Sequence, residues 1–311
     1  MFNSMIFNNL YLHNFTMKRD VSFNSLKISG VIAFFRKFIL LILLGFIFTA
    51  AFAKPKMASK KQIEMFRNTI TCVVLEDGIH YYNAYIQNAV TKFWKATEYE
   101  FIDQAEFERR RSDSKYSFLV LMDWIYDDDP AGISYNFITL VLGGSPGTLV
   151  QMPELCSIPL SYSDNKNPDL EYVIPAIVQF MQMHVKKLGY SRFLISLQGL
   201  KFYNDKLEFR DKVLLLDKDG MALYVDTPDR IKPVYPYYIK LLSTTEIKDE
   251  MASNPTNAIF HFHVGPDEGS GAGKCFEMIF DAAGHLYYYN DRKITNEKGD
   301  GFNLDDFRKI R

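Results

Sequence analysis

Cysteine is scarce in this chain: three in 311 residues, at Cys72, Cys156 and Cys275. A disulfide scaffold needs an even and denser set. Cys72 lies inside the apolar run TITCVVL, where a buried thiol is expected, so no disulfide is expected. Cys-x-x-Cys, His-Glu-x-x-His and Gly-x-Ser-x-Gly are all missing from the sequence, which removes the local signatures of zinc ribbons, zincins and nucleophile elbows. A triad assembled from distant residues stays open, because triads are geometric objects. Basic clusters are lacking too. Residues 1–53 hold Lys18, Arg19, Lys27, Arg36 and Lys37 against Asp20, leaving 31 bases against 36 acids in the remainder, a net of −5. Nucleic-acid binding rests on clustered Lys and Arg, so no nucleic-acid partner is expected.

The longest apolar run, Phe38–Ala53, has 16 residues, short of the roughly 20 that cross a bilayer. It follows Arg36-Lys37 and ends in Ala51-Phe52-Ala53 before Lys54-Pro55. That order of basic, apolar and small-residue regions predicts a secretory signal peptide over residues 1–53. Translation from Met17 would shorten its long leading region. An uncleaved anchor is the competing reading, since Val31–Phe35 extends the apolar character upstream; it would place Arg36 and Lys37 in the membrane at about 2.5–3.5 kcal/mol each. After cleavage no membrane span is expected, and the location is periplasmic or secreted. No cysteine follows the cleavage site, so a bacterial lipoprotein anchor is not indicated.

The whole chain is 48% hydrophobic, with 19 Tyr and 26 Phe, enough for a large core. Thr69–Leu75 reads as a buried strand. Tyr82, Ile86, Ala89, Val90 and Phe93 recur at helical spacing and predict a helix over about 80–95. Tyr99–Ile102 is a short strand, Asp103 with Glu106 a capping-box-like helix start, and Ser117–Met122 a strand. The β-α-β-α-β order predicts a parallel or mixed sheet with helices packed on it.

The same features return downstream. Val213–Leu216 is a strand, and Ser243 follows Val213 by thirty residues, as Asp103 follows Val73. Glu246 repeats the cap partner, Ile247 matches Phe107, and Ile239–Leu242 and Phe260 match Tyr99–Ile102 and Phe118. The expectation is an α/β fold of two repeated β-α-β-α-β-like units forming mixed sheets flanked by helices: residues 54–200, with a hairpin and helix insertion, and 201–311. Within the first, Ile133–Leu142 and Leu155–Tyr162 predict a hairpin, and Asp169 caps a helix over 170–188 that Gly189 would stop, with Pro175 a kink or a later start. Within the second, Asp217–Gly220 reads as a hairpin turn into Met221–Val225, and a short helix near Asp229–Val234 replaces the long one.

The pattern Tyr99-Glu-Phe-Ile-Asp…Glu106-Phe107…Tyr116-Ser-Phe-Leu, with Tyr235-Pro-Tyr…Ser243-Thr-Thr-Glu246-Ile247 further on, resembles a family of exported proteins from Bacteroidetes. The resemblance covers most of residues 69–290. Its motifs are structural, so it implies export and an α/β fold and carries over no catalytic residue.

Four polar residues share one predicted sheet face. Alternation in AIFHFHV leaves His261 and His263 opposite Phe260, Phe262 and Val264. In Lys274–Asp281, Cys275 and Glu277 oppose Phe276, Met278 and Phe280. A hairpin pairing Val264 with Lys274 would set His263 across from Cys275 and His261 across from Glu277, about 4.5–5.5 Å apart at Cβ. That donor set suits zinc, yet a polar or helix-covered face explains it equally, and no metal ligand, cofactor or catalytic residue is assigned from it. Gly269–Lys274 lacks the spacing of a phosphate loop. Asp127–Asp129 lacks that of an EF-hand and reads as a solvated acidic loop. Tyr81-Tyr82, Tyr235–Tyr238 and Tyr287–Tyr289 read as core-rim packing before recognition. The functional expectation is a non-enzymatic exported protein binding an unknown protein or small ligand of the cell envelope, in a groove between the two units. The alternatives are a zinc-dependent hydrolase or other metalloenzyme using His261, His263, Cys275 and Glu277, and a structural envelope component.

Overall fold

A computed structural model describes residues 56–311 apart from 130, 146, 164, 166–167, 205–208, 226, 267–270 and 296–298. The expected export segment, Met17 included, and part of the Gly269–Lys274 loop lie outside the described residues. Helix α1 (Lys60–Phe66) starts at a reciprocal Ser59–Gln62 cap. Strand β1 (Ile70–Val74) is buried along nearly its whole length, as a β-branched run covered on both faces should be. Helix α2 (His80–Phe93) buries Tyr82, Ile86, Ala89 and Val90, the stripe its period predicts. Next come β2 (Glu98–Ile102), α3 (Gln104–Arg110), β3 (Tyr116–Ile125), β4 (Ser134–Leu142) and β5 (Glu154–Tyr162). At α3 the Asp103 carboxylate accepts from the Glu106 amide at 2.7 Å, while Glu106 turns to Arg109 and Arg110 instead of closing the box.

Helix α4 (Val173–Gln198) runs through Gly189. It kinks at Ser191 (φ −115°, ψ 17°) and ends at Gly199, whose φ of +57° makes it the true stop. Buried Ile195 ties down the last turns, although Tyr190, Phe193 and Leu197 stay exposed. The second half follows as β6 (Val213–Asp217), α5 (Pro228–Ile231), β7 (Ile239–Leu242), α6 (Thr244–Ser253), β8 (Ala258–Val264), β9 (Lys274–Asp281), β10 (Leu286–Lys293) and α7 (Leu304–Ile310). The expected hairpin after β6 does not form. Lys218–Gly220 is a single 3-10 turn, and Met221 makes only an isolated bridge to Phe302. Strands β7 and β8 flank β6 on both sides, so β6 has no free edge for a returning strand.

The two sheets have one topology, in the orders β2-β1-β3-β4-β5 and β7-β6-β8-β9-β10. In each, the first strand pairs in parallel with its neighbours on both sides, and the last three strands are antiparallel. The fold is α/β, built from two similar units. Cys72 pairs with Phe118 and Leu215 with Phe260, so those two phenylalanines are equivalent. Phe101 pairs with Val73 and Leu241 with Leu216, which makes Leu216, three residues beyond Val213, the counterpart of Val73. The connection from first strand to cap is therefore shorter in the second unit, and the matched thirty-residue spacing slips by one turn while the topology holds.

The described residues from 56 onward belong to one compact body, in which both units contribute to one central core. On the α3 side of the first sheet, Cys72, Phe107 and Phe118 form an outer cluster. The opposite face, with Val73, Leu119 and Ile138, enters the central core with α4. The second unit offers that core its α6 side, through Leu215, Ile247 and Phe260. Its other face packs beneath the C-terminal segment through Leu216, Ile279, Phe302 and Phe307. Among the described residues no helix is long and apolar enough to cross a membrane.

Candidate functional site

Alternation along β8 sends Phe260, Phe262 and Val264 into the central core and turns His261 and His263 to the outer face. Strand β9 does the same with Cys275 and Glu277, and β10 adds Asn290 and Arg292 opposite them. The expected register is corrected by two residues. Val264 pairs with Phe276, His263 with Glu277, and His261 with Ile279. Apolar faces fixed the parity, but the nine-residue loop left the step open. The backbone of Lys274 is held instead by the first unit, where the Tyr135 hydroxyl takes both its N–H and its C=O.

All four expected residues still converge, with Glu277 as the hub. Its Oε2 accepts from His261 Nε2 at 2.7 Å. Its Oε1 accepts from His263 Nδ1 at 3.1 Å and from the Cys275 thiol at 2.8 Å. His261, Cys275 and Glu277 are fully buried. Three acids and bases that sequence reasoning missed complete the network. Asp300 accepts from His263 Nε2 at 3.1 Å. Asp306 of α7 accepts from Tyr288, Asn290 and Arg292. Arg292 Nη1 lies 3.6 Å from Glu277 Oε1. Period-2 alternation in β10 could have placed Arg292; nothing local marks Asp300, which arrives on the covering segment. Gly220 lets that cover close in, since a Cβ there would lie 2.8 Å from His263 Cβ and 3.1 Å from His261 Cε1.

Charge settles accordingly. Burial opposes a charged Glu277, but the His263 charge and the two imidazole hydrogen bonds overcome it and hold the carboxyl well below its usual range. Burial likewise opposes a charged His263; Glu277 and Asp300 outweigh it and raise the imidazole well above its usual value. Burial, then the Glu277 charge, pushes the Cys275 thiol up. His263 and Arg292 thus face three carboxylates.

The first unit has no such network at the equivalent places. Strand pairing makes Leu119, Leu121 and Ile138 of the first unit equivalent to His261, His263 and Glu277, and Leu119 and Ile138 are core residues. One unit keeps apolar side chains where the other gathers polar ones.

His263 and Asp300 also line a cleft of about 780 Å³. Its walls come from both units: Leu160–Tyr162 at the end of β5, and the turns after β6 and β8. The chain leaves β6 to one side for β7 and returns on the other as β8, so the crevice beyond their carboxyl ends is the topological switch point at which open α/β sheets take ligands. Against protein-family models, curated proteins and solved structures, the chain finds no match.

The remaining expected features have structural roles. Asp128 pairs with Lys293 and Lys274, whereas Asp129 is buried and accepts from the Ala131 amide, so the acidic loop is only partly solvated. His285 bonds Asp281 at 2.9 Å and stays apart from the cluster. Tyr82, Tyr235 and Tyr288 are core residues, and Tyr238 is exposed. All three cysteines are buried, reduced thiols.

Proposed function

We propose that this chain is an exported, periplasmic or secreted, non-enzymatic binding protein that takes a small organic cation in the cleft between its two units. The observation that carries the reading is the position of the cleft, at the carboxyl ends of β6 and β8 with walls from both units. Concave walls favour a small ligand over a protein partner. Asp217 and Asp219 sit at its edge, and the described lining residues include no Lys or Arg. Tyr172 and Tyr224 are among its lining residues, and aromatic rings attract a cation through the ring quadrupole. The signal-like residues 36–53 support export.

Calorimetric titration of the exported form with choline, spermidine, maltose and inorganic phosphate tests this. An organic cation should bind, at least tenfold more weakly to Asp219→Asn. Binding of phosphate or maltose alone, or of none of the four, overturns the reading.

A further inference from the structure

Two chemically different groups meet at one buried oxygen. His263 Nδ1 and the Cys275 thiol both point at Glu277 Oε1, and the ligand atoms of these residues lie within 4.8 Å of one another. We infer that His263, Cys275 and Glu277 are the ligands of a zinc ion. An imidazole nitrogen, a thiolate and a carboxylate together form a set that zinc accepts, and the sulfur disfavours calcium and magnesium.

The surroundings are those of a metal site. A ligating histidine characteristically gives its other N–H to a carboxylate, and a ligating carboxylate is itself held by a hydrogen bond. Here Asp300 takes the far nitrogen of His263, and His261 takes the second oxygen of Glu277. Asp300 and His261 are thus positioning residues. Tetrahedral zinc with bonds of about 2.0–2.3 Å wants its ligand atoms roughly 3.3–3.7 Å apart. The 2.8 and 3.1 Å contacts to Glu277 Oε1 are shorter than this and open when a metal enters, and all three ligand atoms already lie within 4.8 Å of one another.

Arg292 keeps Asp306 as a partner at 3.2 Å. The first unit has Leu121 and Ile138 at the places of His263 and Glu277. Three protein ligands are the number that leaves a fourth position for water or ligand, and His263 is the one bordering the cleft. The inference stands whatever the cleft binds.

The test uses the exported protein without a histidine tag, stripped by a chelator and titrated with Zn²⁺ and with Co²⁺. One equivalent of zinc should bind near neutral pH, and cobalt should give the near-ultraviolet charge-transfer band of a metal–thiolate bond. Cys275→Ser should abolish that band and weaken zinc at least 100-fold. Asp300→Asn, on the partly exposed covering segment, should weaken zinc about 10- to 100-fold with the band retained. Folded wild-type protein that takes up less than a tenth of an equivalent, or zinc affinity unchanged in Cys275→Ser, overturns the site. Should Cys275→Ser not fold, the wild-type cobalt spectrum and Asp300→Asn decide.

Discussion

Tyr135 and Lys274, 139 residues apart, are joined by two hydrogen bonds: the tyrosine hydroxyl accepts from the Lys274 amide at 2.6 Å and donates to its carbonyl at 2.9 Å. The phenol belongs to β4 and the peptide begins β9, so one side chain stitches the first unit to the second and sets where β9 starts. Tyr135→Phe leaves a peptide N–H and C=O without this partner. A loss of about 1–3 kcal/mol follows from unpaired, largely buried groups, read as a lower urea midpoint. An unchanged midpoint would show that solvent replaces the phenol.

Gly220 has an ordinary φ, and its value lies in space. A Cβ would sit 2.8 Å from His263 Cβ, a contact with the stiff root of a side chain. Gly220→Ala should cost about 1–3 kcal/mol by overpacking and displace His263 from Asp300. Thermal unfolding reads the first effect, and the His263 imidazole shifts in an NMR titration read the second.

His184 gives the fold a pH dependence away from the polar cluster. It is buried in α4 against Phe180, with Tyr203 at 2.8 Å from Nδ1, and burial pushes its imidazole down to about 4. Between that value and about 6.5 the unfolded chain binds a proton that the folded chain refuses. Stability therefore falls as pH drops through this window, by roughly 3 kcal/mol. In His184→Phe the decline between pH 6.5 and 4 should shrink by about that amount, whatever its offset at pH 8. Parallel denaturation curves at both pH values for the two proteins would refute the assignment.

Much of this fold was legible in the sequence, for identifiable reasons. Helix α2 and the faces of β8 and β9 follow from side-chain period alone, and the duplication from repeated features around Asp103 and Ser243. What failed were distances that period does not encode. Gly189 has the chemistry of a stop, but buried Ile195 rewards another two turns. The β8–β9 register needed Tyr135, and Asp300 needed the C-terminal segment to fold back.

Export predicts a definite end to the secreted chain. The small residues Ala51 and Ala53 fit a signal-peptidase site, so the secreted protein should begin at Lys54 by intact mass. Ala53→Arg should leave the precursor uncut. Wild-type protein recovered at full length in the membrane fraction would favour the uncleaved anchor.

The polar cluster makes the sharpest claim about why the second unit differs from the first. Breaking a buried charge network by removing one member is costly, whereas exchanging the whole set for apolar side chains of similar volume is often neutral or better. Glu277→Ala strips His261, His263 and Arg292 of their shared partner and should cost about 3–5 kcal/mol. The combined variant His261→Leu, His263→Leu, Glu277→Ile installs what the first unit carries at Leu119, Leu121 and Ile138. Compared with metal-free wild type, it should lose less stability than Glu277→Ala, because both imidazoles leave together with their carboxylate. Were it as damaged as Glu277→Ala, the network would be part of the scaffold. A stable triple variant means that the second unit departs from the first at these positions for chemistry and not for folding.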